Sequence, residues 1–240
     1  MEIKRFFVRK EDIKGDTLSI SGEEFYHLTK VLRHKVGYVV ICSCGDGKDY
    51  YCTLSKINKD FAEAKINEIK ENNASAKCNI HLFQAVIKSA KLDIVIQKAV
   101  ELGVKDITLF YSNNTNEKDI NLDRLNKISK EASKQCGRSD LVTIGKVVEF
   151  DEMLELAKKE DYIVMPYEYE NKVNFSSLDF PSGSYALIIG SEGGFQEYEV
   201  EKAKNIGAKS VSLGNRILRS ETASIIAISL VMFKLGEFDK

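Results

Sequence analysis

The sequence predicts an α/β protein in which a small strand-rich domain precedes a mostly parallel sheet covered by helices. Two observations support this prediction. Up to about residue 70, short alternating or apolar runs follow one another with one helical stretch between them. After about residue 78, strand-like apolar runs alternate with segments of helical periodicity. Such alternation is typical of parallel strands covered on both faces. We therefore expect two domains, residues 1–72 and 73–240.

The first domain contains five strand-like runs and one helical stretch, residues 23–32. Asp46-Gly47 is a signal for a tight hairpin turn between two of the runs. Five short strands with one helix suggest a small barrel. The polar residues 70–77 read as a linker to the second domain. The strands are predicted at residues 6–8, 17–20, 38–43, 49–57 and 62–69.

The second domain begins with a strand at residues 79–87 and a helix at 93–102, which Gly103 ends. The same alternation continues to the end of the sequence, except at residues 167–184, where we expect irregular structure. Further strands are predicted at residues 107–111, 142–148, 162–165, 185–189 and 209–213. Further helices are predicted at residues 122–135, 151–159, 197–206 and 220–235.

Two loops follow the last two predicted strands, and they read I-G-S-E-G-G-F and L-G-N-R-I-L-R-S-E-T-A. We expect these two strands to be adjacent and parallel, so that both loops lie at the sheet edge where α/β proteins bind ligands. Gly190, Gly193 and Gly194 allow a ligand to approach the backbone closely. The alternative for each loop is a glycine turn with a helix cap at Ser220. Together the loops favour a small-molecule site.

The glycine spacing argues against a nucleotide phosphate as the ligand. It is not G-x-G-x-x-G, and no G-K-[S/T] of a P-loop is present. Glu192 lies in the middle of the first loop, where a carboxylate would repel a pyrophosphate. A cationic or zwitterionic ligand with an adenine-like edge fits better. The sequence also lacks G-x-S-x-G, H-E-x-x-H and paired C-x-x-C motifs, which argues against serine hydrolases and metal enzymes.

Five separated blocks carry a resemblance that spans nearly the whole chain. They are R-F-F-V from Arg5, H-L-T-K-V-L-R from His27, Q-K-A-V-E-L-G-V from Gln97, E-A-S-K-Q-C-G-R from Glu131, and the two C-terminal loops together. In this order they resemble the RsmE family, SPOUT-superfamily enzymes that methylate N3 of a uridine in 16S ribosomal RNA. One departure is Ser191, where the family more often has proline. Serine keeps a hydrogen-bond donor there and loosens the turn.

This resemblance implies the fold, the cofactor and the partners. It implies a PUA-like or OB-like barrel for the first domain and a SPOUT-type, trefoil-knotted methyltransferase domain for the second. It also implies S-adenosyl-L-methionine as the cofactor, 16S ribosomal RNA of the small subunit as the substrate, and a homodimer. Cofactor contacts should come mostly from the backbone, with Ile217 and Leu218 enclosing the adenine. The expected cofactor residues are Ile189, Gly190, Glu192, Gly193, Gly194, Leu213, Gly214, Ile217, Leu218, Thr222 and Ala223.

Catalysis at uracil N3 requires the loss of the N3 proton or stabilisation of the uracil anion. Arg219 is the predicted group for the anion, by electrostatic preorganisation. Glu221 or Glu192 is predicted to accept the proton or to hold Arg219 in position, and for Glu221 the alternative is a favourable acid in the first turn of the last helix. Predicted RNA contacts are Arg9, Arg33, Gln135 and Arg138; for the last two, the alternative is capping of a helix end.

Charge and composition set limits on these predictions. The net charge of −1 gives no overall attraction to RNA, so RNA binding needs a local basic patch. No apolar run approaches the roughly 20 residues of a membrane span, and the N-terminus lacks a signal-peptide pattern. We therefore expect a cytoplasmic protein. Five irregularly spaced cysteines indicate no disulfide framework, and a lone C-x-C is a weak zinc signal, so no metal is expected.

Two other functions remain open from the sequence. One is a non-catalytic RNA-binding or ribosome-assembly factor that keeps the fold. The other is a SPOUT methyltransferase that acts at a different RNA position. The presence of Arg219, Glu221 and the double glycine argues against lost catalysis.

Overall fold

The computed structural model describes residues 3–239, which form two compact units. The first unit is the chain up to Ser75 together with Ser133–Leu141. The second unit is Ala76–Ala132 together with the chain from Val142 onward. No local pattern in the sequence predicts that Ser133–Leu141 belongs with the first unit, because this depends on contacts with residues far away in the chain.

The first unit is built on a six-stranded sheet with the order β1-β4-β5-β6-β3-β2, in which the β1–β4 pair is parallel. The strands are β1 Arg5–Phe7, β2 Ile13–Lys14, β3 Thr17–Ser21, β4 Val39–Ser43, β5 Lys48–Ile57 and β6 Phe61–Glu71. Helix α1, Gly22–Tyr26, continues into one π-helical turn, His27–Val31. The five predicted strands are confirmed. The two-residue β2 is too short to show a periodic pattern, and β6 extends into the predicted linker.

A buried ion pair joins strands β1 and β5 of this unit. Arg5 donates to both carboxylate oxygens of Asp49, and the two side chains are 8% and 10% exposed. Asn72 donates to Asp49 at 3.0 Å and to the carbonyl of Gly137 at 2.8 Å. Burial raises the pKa of Asp49, but the hydrogen bonds from Arg5 and Asn72 outweigh it, so the pKa lies below its ordinary value. This network therefore also fastens the Ser133–Leu141 segment to the sheet of the first unit.

Replacing Asp49 with alanine should lower the free energy of unfolding by about 3 to 5 kcal/mol, because the Arg5 guanidinium would stay buried without its partner. Since the pKa of Asp49 is depressed in the folded state, its contribution is present at neutral pH and disappears as the pH falls through that value. Urea denaturation followed by circular dichroism at pH 7 and pH 3 measures both effects. Asp60→Ala, at an exposed turn, is the control and should change little. Equal stabilities of the two variants at pH 7 would contradict this account.

The second unit is a six-stranded, all-parallel sheet with the order β12-β10-β11-β7-β8-β9. Its strands are β7 Asn79–Ala85, β8 Asp106–Tyr111, β9 Val148–Glu149, β10 Tyr162–Pro166, β11 Ser184–Ile189 and β12 Lys209–Val211. Its helices are α2 Ser89–Glu101, α4 Phe150–Ala157, α5 Glu197–Asn205 and α6 Ser220–Lys234, together with α3 Leu122–Cys136 as far as Ala132. Leu187 packs in a core with α2 and α6, whereas Ile188 packs in a core with α4 and α5. The sheet is thus covered on both faces, as predicted.

The predicted adjacency of the last two strands is wrong, because β10 lies between β11 and β12. Val164 of β10 is in register with Leu187 on one side and with Lys209 on the other. Helix α5 therefore carries the chain across β10 before β12 begins. As a result, the loop after β10 ends at the same sheet edge as the two loops that the sequence identified.

The predicted strand at residues 142–148 is also wrong, except that its last residue, Val148, begins β9. Val142 and Ile144 are buried in the core, but α3 side chains satisfy their backbone groups instead of a neighbouring strand. Ser129 donates to the carbonyl of Val142 at 2.5 Å, and Asn126 bonds to both the N–H and the carbonyl of Ile144. An apolar run indicates burial, and here burial occurs without a strand.

The connection between β10 and β11 passes beyond the edge strand β12. The N–H of Ser212 donates to the carbonyl of Val173 at 2.8 Å, and the N–H of Phe175 donates to the carbonyl of Ser212 at 3.1 Å. After Ser212 the chain returns to the middle of the sheet, where α6 packs on β11 and α2. The knot implied by the resemblance requires this path. Within residues 3–239 no helix combines the length and apolar character needed to cross a membrane.

Candidate active site

Three loops at the carboxyl edge of the parallel sheet enclose a cavity of about 360 Å³. The loops follow β10, β11 and β12, and the first turn of α6 completes the wall. Glu168 lies in the loop after β10 and lines the cavity. The cavity is lined by three carboxylates, Glu168, Glu170 and Glu192, and by the guanidinium of Arg216. This charge balance favours a ligand that carries positive charge.

The loop after β11, residues 190–195, is called the glycine loop below, and each of its glycines has its own reason to lack a side chain. Gly194 has a φ of +66°, and a Cβ there would collide with the carboxylate of Glu168. A Cβ at Gly190 would lie 2.9 Å from the ring of Phe195. A Cβ at Gly193 would lie 2.8 Å from the Cβ of Asn114. Gly194 therefore keeps the cavity open, whereas Gly193 faces a neighbouring loop.

A buried hydrogen-bond network fixes the start of α6 against the glycine loop. Ser220 donates to the carbonyl of Gly190 at 2.6 Å and accepts from the side-chain amide of Gln84 at 3.1 Å. Ser224 donates to the Gln84 carbonyl oxygen at 2.5 Å. The alternative of a helix cap at Ser220 does not hold, because the helix N-cap is Arg219 and the Ser220 hydroxyl donates to the carbonyl of Gly190. Gln84, a lone amide inside an apolar strand, was the available sequence signal for this network.

Lys91, in the first turn of α2, joins two carboxylates of the site. Its ammonium lies 3.2 Å from Glu192 Oε1 and 3.9 Å from Glu221 Oε2. The backbone N–H of Lys88 also donates to Glu192, at 3.3 Å. Burial raises the pKa of Glu192, but the Lys88 N–H and the Lys91 ammonium outweigh it, so the pKa is lowered. Glu192 is therefore anionic at neutral pH. Sequence reasoning missed Lys91.

Arg219 and Glu221 stand at the beginning of α6. Arg219 is exposed, and its guanidinium makes no hydrogen bond or ion pair with any side chain or backbone group among residues 3–239. The side chain of Glu221 is 14% exposed, and its Oε2 accepts no hydrogen bond within the same part of the chain. The site thus presents an unpaired cation and, two residues away, a buried carboxylate oxygen that accepts no hydrogen bond and has the Lys91 ammonium at 3.9 Å.

Comparison with known proteins identifies the family. A family model described as RNA methyltransferase domain matches residues 74–232, and one described as RNA methyltransferase PUA domain matches residues 20–67. Ribosomal RNA small subunit methyltransferase E of Bacillus subtilis is 31% identical over 97% of both chains. The protein of that name from Mesomycoplasma hyopneumoniae is 32% identical, over 94% of this chain and 97% of its own. The chain belongs to the ribosomal RNA small subunit methyltransferase E family.

Solved structures share the same fold. A Neisseria gonorrhoeae ribosomal RNA small subunit methyltransferase E bound to S-adenosyl methionine matches with a TM-score of 0.85 and 28% identity, over 97% of this chain and 98% of that one. A Legionella pneumophila structure in complex with the bound cofactor SAM matches with a TM-score of 0.87 and 29% identity, with the same coverage. The predicted family, the assignment as an enzyme, and the α/β fold with a preceding PUA domain are confirmed.

Most residues that the sequence assigns to the cofactor line the cavity of this family member. Those that line it are Ile189, Gly190, Glu192, Gly194, Leu213, Gly214, Ile217, Leu218 and Ala223. Gly193 does not, because it faces Asn114, and Thr222 is exposed in the first turn of α6. The side chain of Ile217 is 88% exposed, which leaves apolar surface at the mouth of the cavity.

The residues assigned to RNA lie in the first unit and differ in exposure. Arg9, Arg33 and Gln135 are exposed; Arg9 pairs with Asp12 at 2.9 Å, and Arg33 has an unusual φ of +54°. Arg138 differs from the prediction of an RNA contact, because its side chain is only 1% exposed and is paired with Asp140. It presents no guanidinium to solvent and instead holds the Ser133–Leu141 segment together. Asp140, two residues after Arg138, was the sequence signal for this ion pair.

Proposed function

We propose that this member of the ribosomal RNA small subunit methyltransferase E family transfers a methyl group from S-adenosylmethionine to N3 of a uridine in 16S ribosomal RNA. The observation that carries the proposal is the cavity at the ends of three neighbouring parallel strands, within the segment that matches the RNA methyltransferase domain. The names of the relatives support RNA of the small subunit, and the sequence blocks that resemble the RsmE family support uridine N3.

The cavity suits this cofactor in size and chemistry. Its volume of about 360 Å³ is in the range of small-molecule sites. Apolar groups of Leu213, Ile217 and Leu218 can cover the adenine, and the carboxylates of Glu168 and Glu192 suit a ligand with positive charge. When bound, the cofactor supplies a methyl group on a positively charged sulfur. The open space at Gly194 lets the ligand lie against the backbone.

Arg219 and Glu221 are the residues that we assign to the reaction. The N3 proton of uracil must leave, and negative charge then spreads over the uracil oxygens. Arg219 binds that anion with its unpaired guanidinium, which is electrostatic preorganisation. Glu221 accepts the proton at Oε2, the oxygen that is buried without a hydrogen bond. Lys91 keeps Glu221 and Glu192 in place.

The exposed Arg9, Arg33 and Gln135 are the residues that we assign to RNA binding. Arg9 and Arg33 bring positive charge to the surface of the first unit, which a chain with a net charge of −1 needs for binding a polyanion. The homodimer and the cytoplasmic location stay predictions. Two apolar side chains of α6, Ile226 and Phe233, are 40% and 67% exposed and are candidates for burial in such a dimer.

The test is transfer of a labelled methyl group from S-adenosylmethionine to small ribosomal subunits that lack the modification. Naked 16S RNA and large subunits serve as parallel substrates, and calorimetry measures cofactor binding separately. We expect label in 16S RNA and none in the large subunit. Cofactor binding without transfer to 16S RNA would contradict the proposed substrate. Absence of both would contradict the proposed cofactor and favour the binding-factor alternative.

A further inference from the structure

The loop after β8, residues 112–116, contacts the glycine loop from outside the cavity. The side-chain amide of Asn114 donates to the carbonyl of Gly193 at 2.8 Å and lies 3.4 Å from the carbonyl of Gly194. The side-chain oxygen Oδ1 of Asn114 accepts from the side-chain amide of Gln196 at 2.9 Å. The Asn114 side chain thus bonds to Gly193 in the glycine loop and to Gln196 directly after the loop.

Ser191 adds a second contact between the same two loops. Its hydroxyl donates to the backbone carbonyl of Asn114 at 3.2 Å, and the hydroxyl of Ser112 donates to it at 3.3 Å. Ser112 and Ser191 are both buried. A proline at position 191 could make neither hydrogen bond. In this chain, therefore, side-chain hydrogen bonds to the β8 loop hold a turn that a proline would otherwise stiffen.

A buried carboxylate completes the contact. Glu199, which is 1% exposed, accepts from the N–H of Gln196 and from the N–H of Asn113, both at 2.9 Å. The beginning of α5 is thereby tied to the β8 loop as well. Gly193 has no side chain because its α-carbon packs against Asn114. The glycine loop is thus held at Ser191 and Gly193, and Gln196 directly after it is held as well.

Fixing this loop matters because glycine-rich backbone loses more conformational freedom on ordering than any other. A loop that is ordered before the ligand arrives binds it more tightly, since less entropy is lost on binding. We propose that Asn114 is a positioning residue that holds the glycine loop in its ligand-binding conformation and thereby sets the affinity for S-adenosylmethionine. This inference rests on the proposed cofactor.

The test uses Asn114→Asp, with Asn116→Ala as the matched control. Aspartate keeps the shape and the acceptor for Gln196, but it cannot donate to the carbonyl of Gly193. Asn116 is in the same loop, is exposed, and makes no hydrogen bond with the rest of residues 3–239. For Asn114→Asp we expect the Kd for S-adenosylmethionine to rise about tenfold, with kcat at saturating cofactor within about threefold of wild type. For Asn116→Ala we expect both quantities to stay within about twofold.

Hydrogen exchange without ligand gives a readout that does not depend on the cofactor. The amide of Gly194 donates to the carbonyl of Ser191 at 3.1 Å, so it reports the order of the glycine loop. We expect faster exchange of this amide in Asn114→Asp and no change in Asn116→Ala. Unchanged exchange together with unchanged Kd in Asn114→Asp would overturn the inference. If wild type binds no cofactor, the proposed function fails, and exchange still decides whether Asn114 holds the loop.

Ser191→Ala is the second variant, for use if Asn114→Asp does not fold. It removes the other side-chain link between the two loops and leaves the backbone of the glycine loop intact. We expect exchange at Gly194 to quicken and the Kd to rise several-fold, by the loss of one buried hydrogen bond. A Kd and an exchange rate equal to those of wild type would overturn the inference for this contact too.

Discussion

Replacing Arg219 with alanine should lower kcat for methyl transfer by about 10²- to 10³-fold, while the Kd for S-adenosylmethionine changes less than tenfold. The reason is that Arg219 is exposed and without a partner among residues 3–239, so its guanidinium is available to an anion that forms only during the reaction. It does not line the cavity, so cofactor binding should survive its removal. Steady-state kinetics with small subunits and calorimetry with the cofactor measure the two quantities.

Two further variants show whether the guanidinium itself matters. Arg219→Lys keeps the charge but loses the planar, two-pronged donor, so we expect partial activity. Lys209→Ala removes an exposed cation from the amino end of β12 and should leave kcat unchanged. If Arg219→Ala were as active as wild type, the assigned role would be wrong. If Lys209→Ala lowered kcat as much as Arg219→Ala does, the loss would reflect weaker electrostatic attraction of RNA and not a role of Arg219 in the reaction.

Replacing Gly194 with valine should raise the Kd for S-adenosylmethionine by at least about 100-fold. A β-branched residue at a φ of +66° is strongly strained, and its side chain would meet the carboxylate of Glu168. The loop must then change its path, and the added methyl groups fill the space where the ligand approaches the backbone. Calorimetry measures the Kd, and thermal unfolding shows whether the variant remains folded at the temperature of the titration.

Gly207→Val is the matched control for the backbone strain. Gly207 also has a positive φ, of +92°, but a Cβ there meets nothing within 4 Å and the residue does not line the cavity. We expect Gly207→Val to lower stability without changing the Kd. A Gly194→Val protein that binds the cofactor as wild type does would refute the assignment of the glycine loop. If Gly207→Val bound the cofactor as weakly as Gly194→Val, the higher Kd would come from lost stability and not from a blocked ligand approach.

The elements of the second unit were largely predictable because each has a local signal. Apolar runs mark the strands, and Gly103 ends α2 as expected. The order of the strands was not predictable, because pairing of β12 with β10 depends on contacts between distant parts of the chain. The error at residues 142–148 has a related cause. An apolar run reports burial, but only the side chains of Asn126 and Ser129 decide that the buried backbone forms no strand.

The parts of the site that were predictable are those whose residues lie next to one another in the sequence. Both C-terminal loops combine glycine and charged residues within a few positions, and they do line the cavity. The residues that hold these loops were missed because their partners are distant in the chain. Gln84 and Ser220 are 136 residues apart, Lys91 and Glu192 are 101, and Asn114 and Gly193 are 79. The sequence alone gives no indication of such pairs.

The position of the new methyl group on the RNA tests the central proposal most directly. Small subunits lacking the modification are incubated with the protein and S-adenosylmethionine. Their 16S RNA is then digested and analysed by mass spectrometry against nucleoside standards. The proposal predicts one N3-methyluridine, formed about 10²- to 10³-fold more slowly when Arg219→Ala replaces the wild-type protein. A methyl group on a ribose, on another base or on another uridine atom would contradict the assignment to uridine N3.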